Sequence, residues 1–243
     1  MSAQHPVTVD VISDTICPWC FVGKRRLEAA LARLPPAARA ATSVHWRPFF
    51  LDPSLPPAGT DKLASYNAKF GAARVAAMLP QMQAVGAGEG IAFDFGGLVA
   101  ATGTSHALLA LAHARGGAPL QGALCEALFR YYFEARGNLG DAAGLRAVCA
   151  AAGLPAAAGD EELQALLAPP APPGGPALPV KARLLAAVEA EARAWRARHA
   201  VTGVPCFVLQ RADGSGPPLV LPGAQDAGTL LAALERVAGG GAQ

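Results

Sequence analysis

Charge of one sign is nearly missing from this 243-residue chain: 20 Lys+Arg stand against 18 Asp+Glu, a formal balance of +2. That balance excludes a broad electrostatic footprint for nucleic acid or an acidic membrane surface. No basic run exceeds Lys24-Arg25-Arg26. Long apolar runs are missing too, since no segment reads as the roughly 18 or more uncharged apolar residues of a transmembrane helix. The opening residues Met1–Asp10 (MSAQHPVTVD) lack a basic region followed by an apolar one, so no secretory leader is expected. Aromatics are scarce, at 6%, and the 52% hydrophobic content includes 56 alanines, small helix formers rather than large core residues. Cysteines number only five. Without an export signal they point to a cytoplasmic, reducing compartment, where paired thiols are catalytic, redox-active or metal-binding rather than structural.

The remaining residues alternate between strand and helix at both ends of the chain. Val7–Ile12 reads as a strand, and a helix runs from the motif below to about Leu34, where Pro35-Pro36 stops it. Ser43–Leu51 reads as a second strand, with Pro48 marking an edge or bend. Residues 61–87, 104–115, 120–136 and 141–152 read as helices, with one short strand-like stretch at Ile91–Phe95. Residues 169–179 (PPAPPGGPALP) read as a Pro/Gly/Ala linker. Beyond it come a helix to about His199, strands Val204–Gln210 and Pro218–Leu221, and a helix Asp226–Val237 with Asp226 as its cap. The expected fold is α/β, a thioredoxin-like βαβ…αββα order interrupted by an all-helical insertion. Its parts are residues 1–53, the insertion at 54–179, and 180–243.

Cys17-Pro18-Trp19-Cys20 falls at the first strand-to-helix junction. Two cysteines at this spacing close a short ring that opens readily by thiol exchange. At a helix start the first sulfur faces unpaired N–H groups and the positive end of the dipole, which favours the thiolate. Cys17 is therefore read as the nucleophile and Cys20, one turn in, as the resolving thiol. Pro18 suits the first helical position, where its missing N–H is not needed. Trp19 lies between the thiols, placed for substrate contact. The competing reading is half a zinc site, but that needs two more ligands at matching spacing, and Cys125, Cys149 and Cys206 are isolated.

A second signal is Thr202-Gly203-Val204-Pro205-Cys206-Phe207-Val208. A proline opening a strand after a helix is a candidate cis peptide. Beside a Cys-x-x-Cys it would leave the Val204 backbone free to pair with an extended substrate. The plainer reading is a trans proline at an edge strand.

With both motifs in view, the stretch SDTICPWCFVGKRRLEAAL resembles the active-site signature of the DsbA family, in particular its FrnE-like cytoplasmic branch. WRPFFLDPSLPP, GIAFDF, ALFRYYFEARGNLGD, TGVPCFV and LPGAQ are similar to that branch in the same order, over roughly residues 7–230. The resemblance implies a thioredoxin fold carrying a helical domain, and thiol–disulfide oxidoreductase activity on protein or small-molecule thiols. By position it makes Cys17 the nucleophile, Cys20 the resolving thiol and Pro205 the cis-proline. It implies no metal or organic cofactor, with glutathione as a co-substrate, and a monomer or homodimer. Cys206 departs from the family, which more often has an aromatic residue or Thr there, and the 155–179 stretch is unusually rich in Pro, Ala and Gly.

Several other residues carry two readings each. Asp14, three before Cys17, is either a base taking the Cys20 proton or a turn residue bonding nearby N–H groups. Cys206 is either a third reactive thiol beside Val204 and Pro205 or a small core residue. Cys125 and Cys149 read as buried small hydrophobes. His106 and His113, seven apart, read as packing residues. Lys24 with Arg25 and Arg26 either adds positive charge near the thiolate or forms a solvated helix face. Two rival functions stand beside the oxidoreductase. One is a glutathione-dependent isomerase or transferase, resembling the kappa-class and 2-hydroxychromene-2-carboxylate isomerase branch, which generally uses Ser at the Cys17 position. The other is a non-catalytic peptide-binding module.

Overall fold

The computed structural model describes residues 5–154, 159–169 and 179–239. In chain order the elements are β1 (Val7–Ser13), α1 (Pro18–Arg33), α2 (Pro36–Ala40), β2 (Thr42–Pro48), β3 (Thr60–Asp61), α3 (Lys62–Phe70), α4 (Ala72–Gly88), β4 (Leu98–Val99), α5 (Gly103–Phe133), α6 (Ala142–Ala151), α7 (Glu161–Leu166), α8 (Pro179–His199), β5 (Cys206–Arg211), β6 (Leu219–Pro222) and α9 (Ala227–Gly239). Four of the strands form one sheet in the order β2-β1-β5-β6. β1 runs parallel to β2, in the register Val9↔Val44, and antiparallel to β5, in the register Ile12↔Cys206.

Strand alternation sorts the core onto the two faces of this sheet. Val7, Val9 and Val11, with Phe207 and Leu209, share a cluster with Phe21 and Leu27 of α1 and Leu230 and Leu234 of α9. On the other face Ile12, Cys206 and Val208 pack with Phe49 and Val201, against Trp195 of α8. That face also buries a charge: Asp10 accepts from Arg47 Nε at 2.6 Å, and Arg47 reaches Glu191 of α8 at 3.2 Å.

β2 is an edge strand, and α5 closes it with a side chain. The Gln121 amide accepts the Trp46 N–H at 2.9 Å and donates to the Trp46 carbonyl at 3.0 Å. The helices between β2 and α8 share their core with α1, since Phe21 stacks on Phe129 of α5 with ring centres 5.0 Å apart. Burying an aromatic ring of that size stabilises the contact by roughly 1.5–3 kcal/mol.

Several expected boundaries move. The second strand ends at Pro48 rather than Leu51. Pro48 has no N–H to extend the ladder, and Phe49 and Leu51 instead turn their N–H groups to Ser13 and Asp14. The helix expected over 61–87 is two, separated at Gly71. Those expected at 104–115 and 120–136 join into α5, which kinks at Gly116–Gly117 and stops at Phe133. Gly117 takes φ 64°, open to glycine and strained for other residues. Ile91–Phe95 is not a strand, and the small pairing beside it is β3 with β4. β5 begins at Cys206, so Val204 and Pro205 lie in the preceding loop. Apart from its end residues, the linker expected at 169–179 lies outside the described residues. Among the described residues no helix is long and apolar enough to cross a membrane.

Candidate active site

Cys17 caps α1. Its backbone is extended (φ −91°, ψ 112°), Pro18 opens the helix, and no acidic side chain stands in the first turn. The Cys17 N–H donates to Asp14 O at 3.0 Å, and its carbonyl accepts from Cys20 N–H at 3.1 Å. With neither a capping side chain nor a carboxylate there, the positive end of the helix is left to the sulfur. The Cys17 thiol points across the sheet end to the Val204 carbonyl, at 3.6 Å. The Val204–Pro205 peptide bond is cis.

Cys20 is fully enclosed. Burial pushes its thiol well above the ordinary range and the neighbouring Cys17 sulfur adds to this, while hydrogen bonds from Ser13 and the Asp14 main chain oppose it. The two thiols thus sit in unlike surroundings, one at a helix terminus facing a loop and one sealed beneath it. Trp19 between them is 43% exposed.

α1 approaches the Pro205 loop closely because residue 23 is glycine. A Cβ there would stand 3.0 Å from the Pro205 ring and 3.1 Å from Phe207. One turn past Cys20, Lys24 is not on a solvated face. It is buried, pairs with Glu28, and reaches Glu126 of α5 at 2.8 Å.

Of the eight residues singled out from the sequence, Cys17, Pro18, Trp19, Cys20, Val204 and Pro205 gather at one end of the sheet. Cys206 turns inward to the cluster with Ile12 and Val208, and burial raises its thiol. Asp14 is fully buried. One carboxylate oxygen accepts the Leu51 N–H at 2.8 Å and the other lies 3.3 Å from His106 Nε2. Cys125 and Cys149 are buried, and burial pushes Cys149 up to about 11. His106 was read as packing, and it does more: with Thr102 and Ser105 it ties α5 to the motif loop. Ser105 gives its one hydroxyl hydrogen to Thr102 O, so in its 2.8 Å contact with Thr15 the threonine donates. Tyr66 of α3 also went unnoticed. It lies within electrostatic reach of Cys17, and burial pushes its phenol up to about 12. Nothing in the local sequence marks either residue, because the contacts span from about 50 to 90 positions along the chain.

The sequence matches the model of the DSBA-like thioredoxin domain over residues 8–171. The chain belongs to that family. A probable DsbA oxidoreductase from Streptomyces coelicolor is 32% identical, with a TM-score of 0.78 over 98% of this chain and 92% of that one. The cytosolic disulfide reductase DsbM from Pseudomonas aeruginosa shares the fold at 19% identity and a TM-score of 0.60, over 94% and 97% of the two chains. It has also been solved with GSH. A 2-hydroxychromene-2-carboxylate isomerase shares it at 14% identity and a TM-score of 0.57, over 94% and 95%. No curated protein matches the sequence. The fold is thus the α/β, thioredoxin-like one expected from the strand and helix order, with further helices between β2 and α8.

Proposed function

We propose that the protein is a thiol–disulfide oxidoreductase working through Cys17 and Cys20. The observation that carries this reading is the placement of Cys17: it is the N-cap residue of α1, no side chain caps that first turn, and its thiol faces the Val204 carbonyl at 3.6 Å. In the reducing direction the Cys17 thiolate attacks a substrate disulfide, forming a mixed disulfide and expelling one substrate thiolate. Cys20 then gives its proton to Asp14 and attacks Cys17. The bond to the substrate breaks, the Cys17–Cys20 bond forms, and two electrons have passed to the substrate. Oxidation of a substrate dithiol is the reverse. Val204 supplies backbone groups to an extended substrate, Pro205 shapes that loop, and Trp19 offers an exposed apolar contact.

Glutathione is the small thiol we expect to exchange with the pair, in a cytoplasmic setting. A structural neighbour described as a cytosolic disulfide reductase and solved with GSH supports this. The test is equilibration in graded glutathione buffers, with the Cys17–Cys20 state read by alkylation and mass. We expect a reversible two-electron disulfide that Cys17→Ser abolishes together with turnover. A potential above about −200 mV marks an oxidant or isomerase, and one near −270 mV or below marks a reductase. Absence of an internal disulfide at every poise overturns the reading in favour of a glutathione-dependent isomerase or a binding module.

A further inference from the structure

We propose that Arg26 is a positioning residue for the exchange reaction: from α1 its guanidinium clamps the turn between β6 and α9, and through that turn it holds the Val204–Pro205 loop where an extended substrate pairs beside Cys17. This rests on the oxidoreductase reading above and on Val204 as the residue that pairs with substrate.

Arg26 lies nine residues along α1 from Cys17, roughly 13 Å at 1.5 Å per residue, so it does not touch the reacting sulfurs. What it touches is the far side of the substrate loop. Its Nη1 donates to the Ala224 carbonyl at 2.7 Å. Next to Ala224, the Gly223 N–H donates to the Pro205 carbonyl at 2.8 Å. Cys206 pairs with Pro222, so this bond extends the β5–β6 ladder by one rung. Pro205 has no N–H to give back, and the rung is therefore a single hydrogen bond. Pro205 follows Val204, whose carbonyl faces the Cys17 thiol at 3.6 Å.

The turn does not fix itself in this place. Gln225 closes it locally, with its N–H on the Gly223 carbonyl at 2.9 Å and its side-chain amide on the Pro222 carbonyl at 2.5 Å. Both bonds stay within the turn. Gly223 takes φ 78°, and a glycine has the widest choice of other conformations to escape into. Toward α1 and β5 the turn has the Gly223 rung and the Arg26 clamp. Gly23 and Arg26, three apart, share one face of α1. The first lets the Pro205 ring come close, and the second secures the turn behind it. A further bond aims the guanidinium: Nε donates to Glu89, just past the end of α4, at 2.6 Å. The planar fork of arginine supplies both donors in fixed directions, and a bond from a charged donor is stronger than one between neutral groups.

The test compares two disulfides that release the same chromophore. One is a short extended peptide whose single cysteine is joined to 5-thio-2-nitrobenzoate. The other is the symmetrical disulfide of that aromatic thiol, which has no backbone to pair. In each, the Cys17 thiolate attacks one sulfur, a mixed disulfide forms, and the aromatic thiolate leaves with the electron pair of the broken bond. Arg26→Met removes every donor and keeps the apolar stem. Arg26→Gln keeps an N–H near the Nε position but none that reaches Ala224, and it serves should the methionine variant not fold. Both are expected to raise the half-saturating peptide concentration about fivefold with the limiting rate nearly unchanged, the mark of lost binding rather than lost chemistry. The symmetrical disulfide is expected to react within about twofold of the wild-type rate. An equal loss with both disulfides, as lost charge near the thiolate or a disturbed fold would give, overturns the role, and so does wild-type saturation by the peptide. Amide exchange reads the clamp without any turnover. In both variants the Gly223 N–H is expected to exchange at least about tenfold faster, while the Phe207 and Val208 amides of β5 keep their wild-type rates. Unchanged protection at Gly223 overturns the clamp. Wild-type protein that releases no chromophore from either disulfide, beyond what Cys17→Ser releases, overturns the oxidoreductase reading and this role with it.

Discussion

Lys24 and Lys62 are both withdrawn from solvent, at 5% and 0% exposure, yet their surroundings have little in common. Lys24 lies one turn past Cys20 and meets Glu28 and Glu126, with Arg25 and Arg130 completing the group around Glu126. Burial works against its charge, but the nearby Cys125 and the two carboxylates outweigh it, and its affinity for the proton rises. The same cluster holds Glu126 down to about 2, against the cost of its burial. Lys62, at the start of α3, has a carbonyl (Tyr132 O, 3.2 Å) and the face of the Tyr132 ring, 3.8 Å from Nζ to the ring centre. Burial dominates there and pulls it down to about 8, with Asp94 opposing and Arg136 reinforcing. Proximity to negative charge, rather than depth, decides whether a buried lysine supports the fold or weighs on it.

Substituting each lysine by methionine gives the sharpest contrast. Lys24→Met leaves a partly buried Glu126 short of one cation and is expected to destabilise by about 2–3 kcal/mol. Lys62→Met removes a desolvation cost at nearly constant volume and is expected to be neutral or to stabilise by about 1 kcal/mol. Urea midpoints in the opposite order would break the comparison. A comparable effect is expected from pH alone. Between about pH 8 and pH 10.5 the unfolded chain keeps the Lys62 proton that the native state has given up, so stability rises with pH across that window. The gain is up to about 3 kcal/mol and is absent in Lys62→Met. Glu126 gives the same sign in an acid window: its contribution is complete above its ordinary value of 4.5 and is lost as pH falls toward about 2, so stability rises with pH there too. Equilibrium unfolding at several pH values reads both windows. The smallest effect is expected at Gly23→Ala, where the added methyl group meets the Pro205 ring. A loss of about 1 kcal/mol is expected, together with a slower first-order exchange at Cys17. Unchanged exchange in that variant would show that α1 and the Pro205 loop are not tightly coupled.

Much of the frame was legible because its signals are local. β1 is a β-branched run, and α1 lies between a proline at its first position and the Pro35-Pro36 stop. The thiol pair and the Pro205 loop each announce themselves within a few residues. What escaped depends on contacts distant in sequence. β5 is apolar on both faces, so alternation could not say which way Cys206 points; its register with Ile12 decides it. β3 and β4 are two residues each, too short to carry a pattern. His106 looked like a packing residue because its partners, Asp14 and Phe49, lie on other elements. For Lys24 a solvated face stayed open as one of two readings because Glu126 stands 102 positions away along the chain.

The amide of Gln121 has a consequence for how the molecule meets other chains. By occupying both main-chain groups of Trp46 it acts as a counterfeit strand one residue long, placed where a neighbouring copy would begin to zip on. An open β edge is a standing invitation to aggregate, because its unpaired main-chain groups can accept a strand from another chain. With this flank plugged from within at Trp46, pairing by a foreign strand along β2 is interrupted where it would otherwise be continuous.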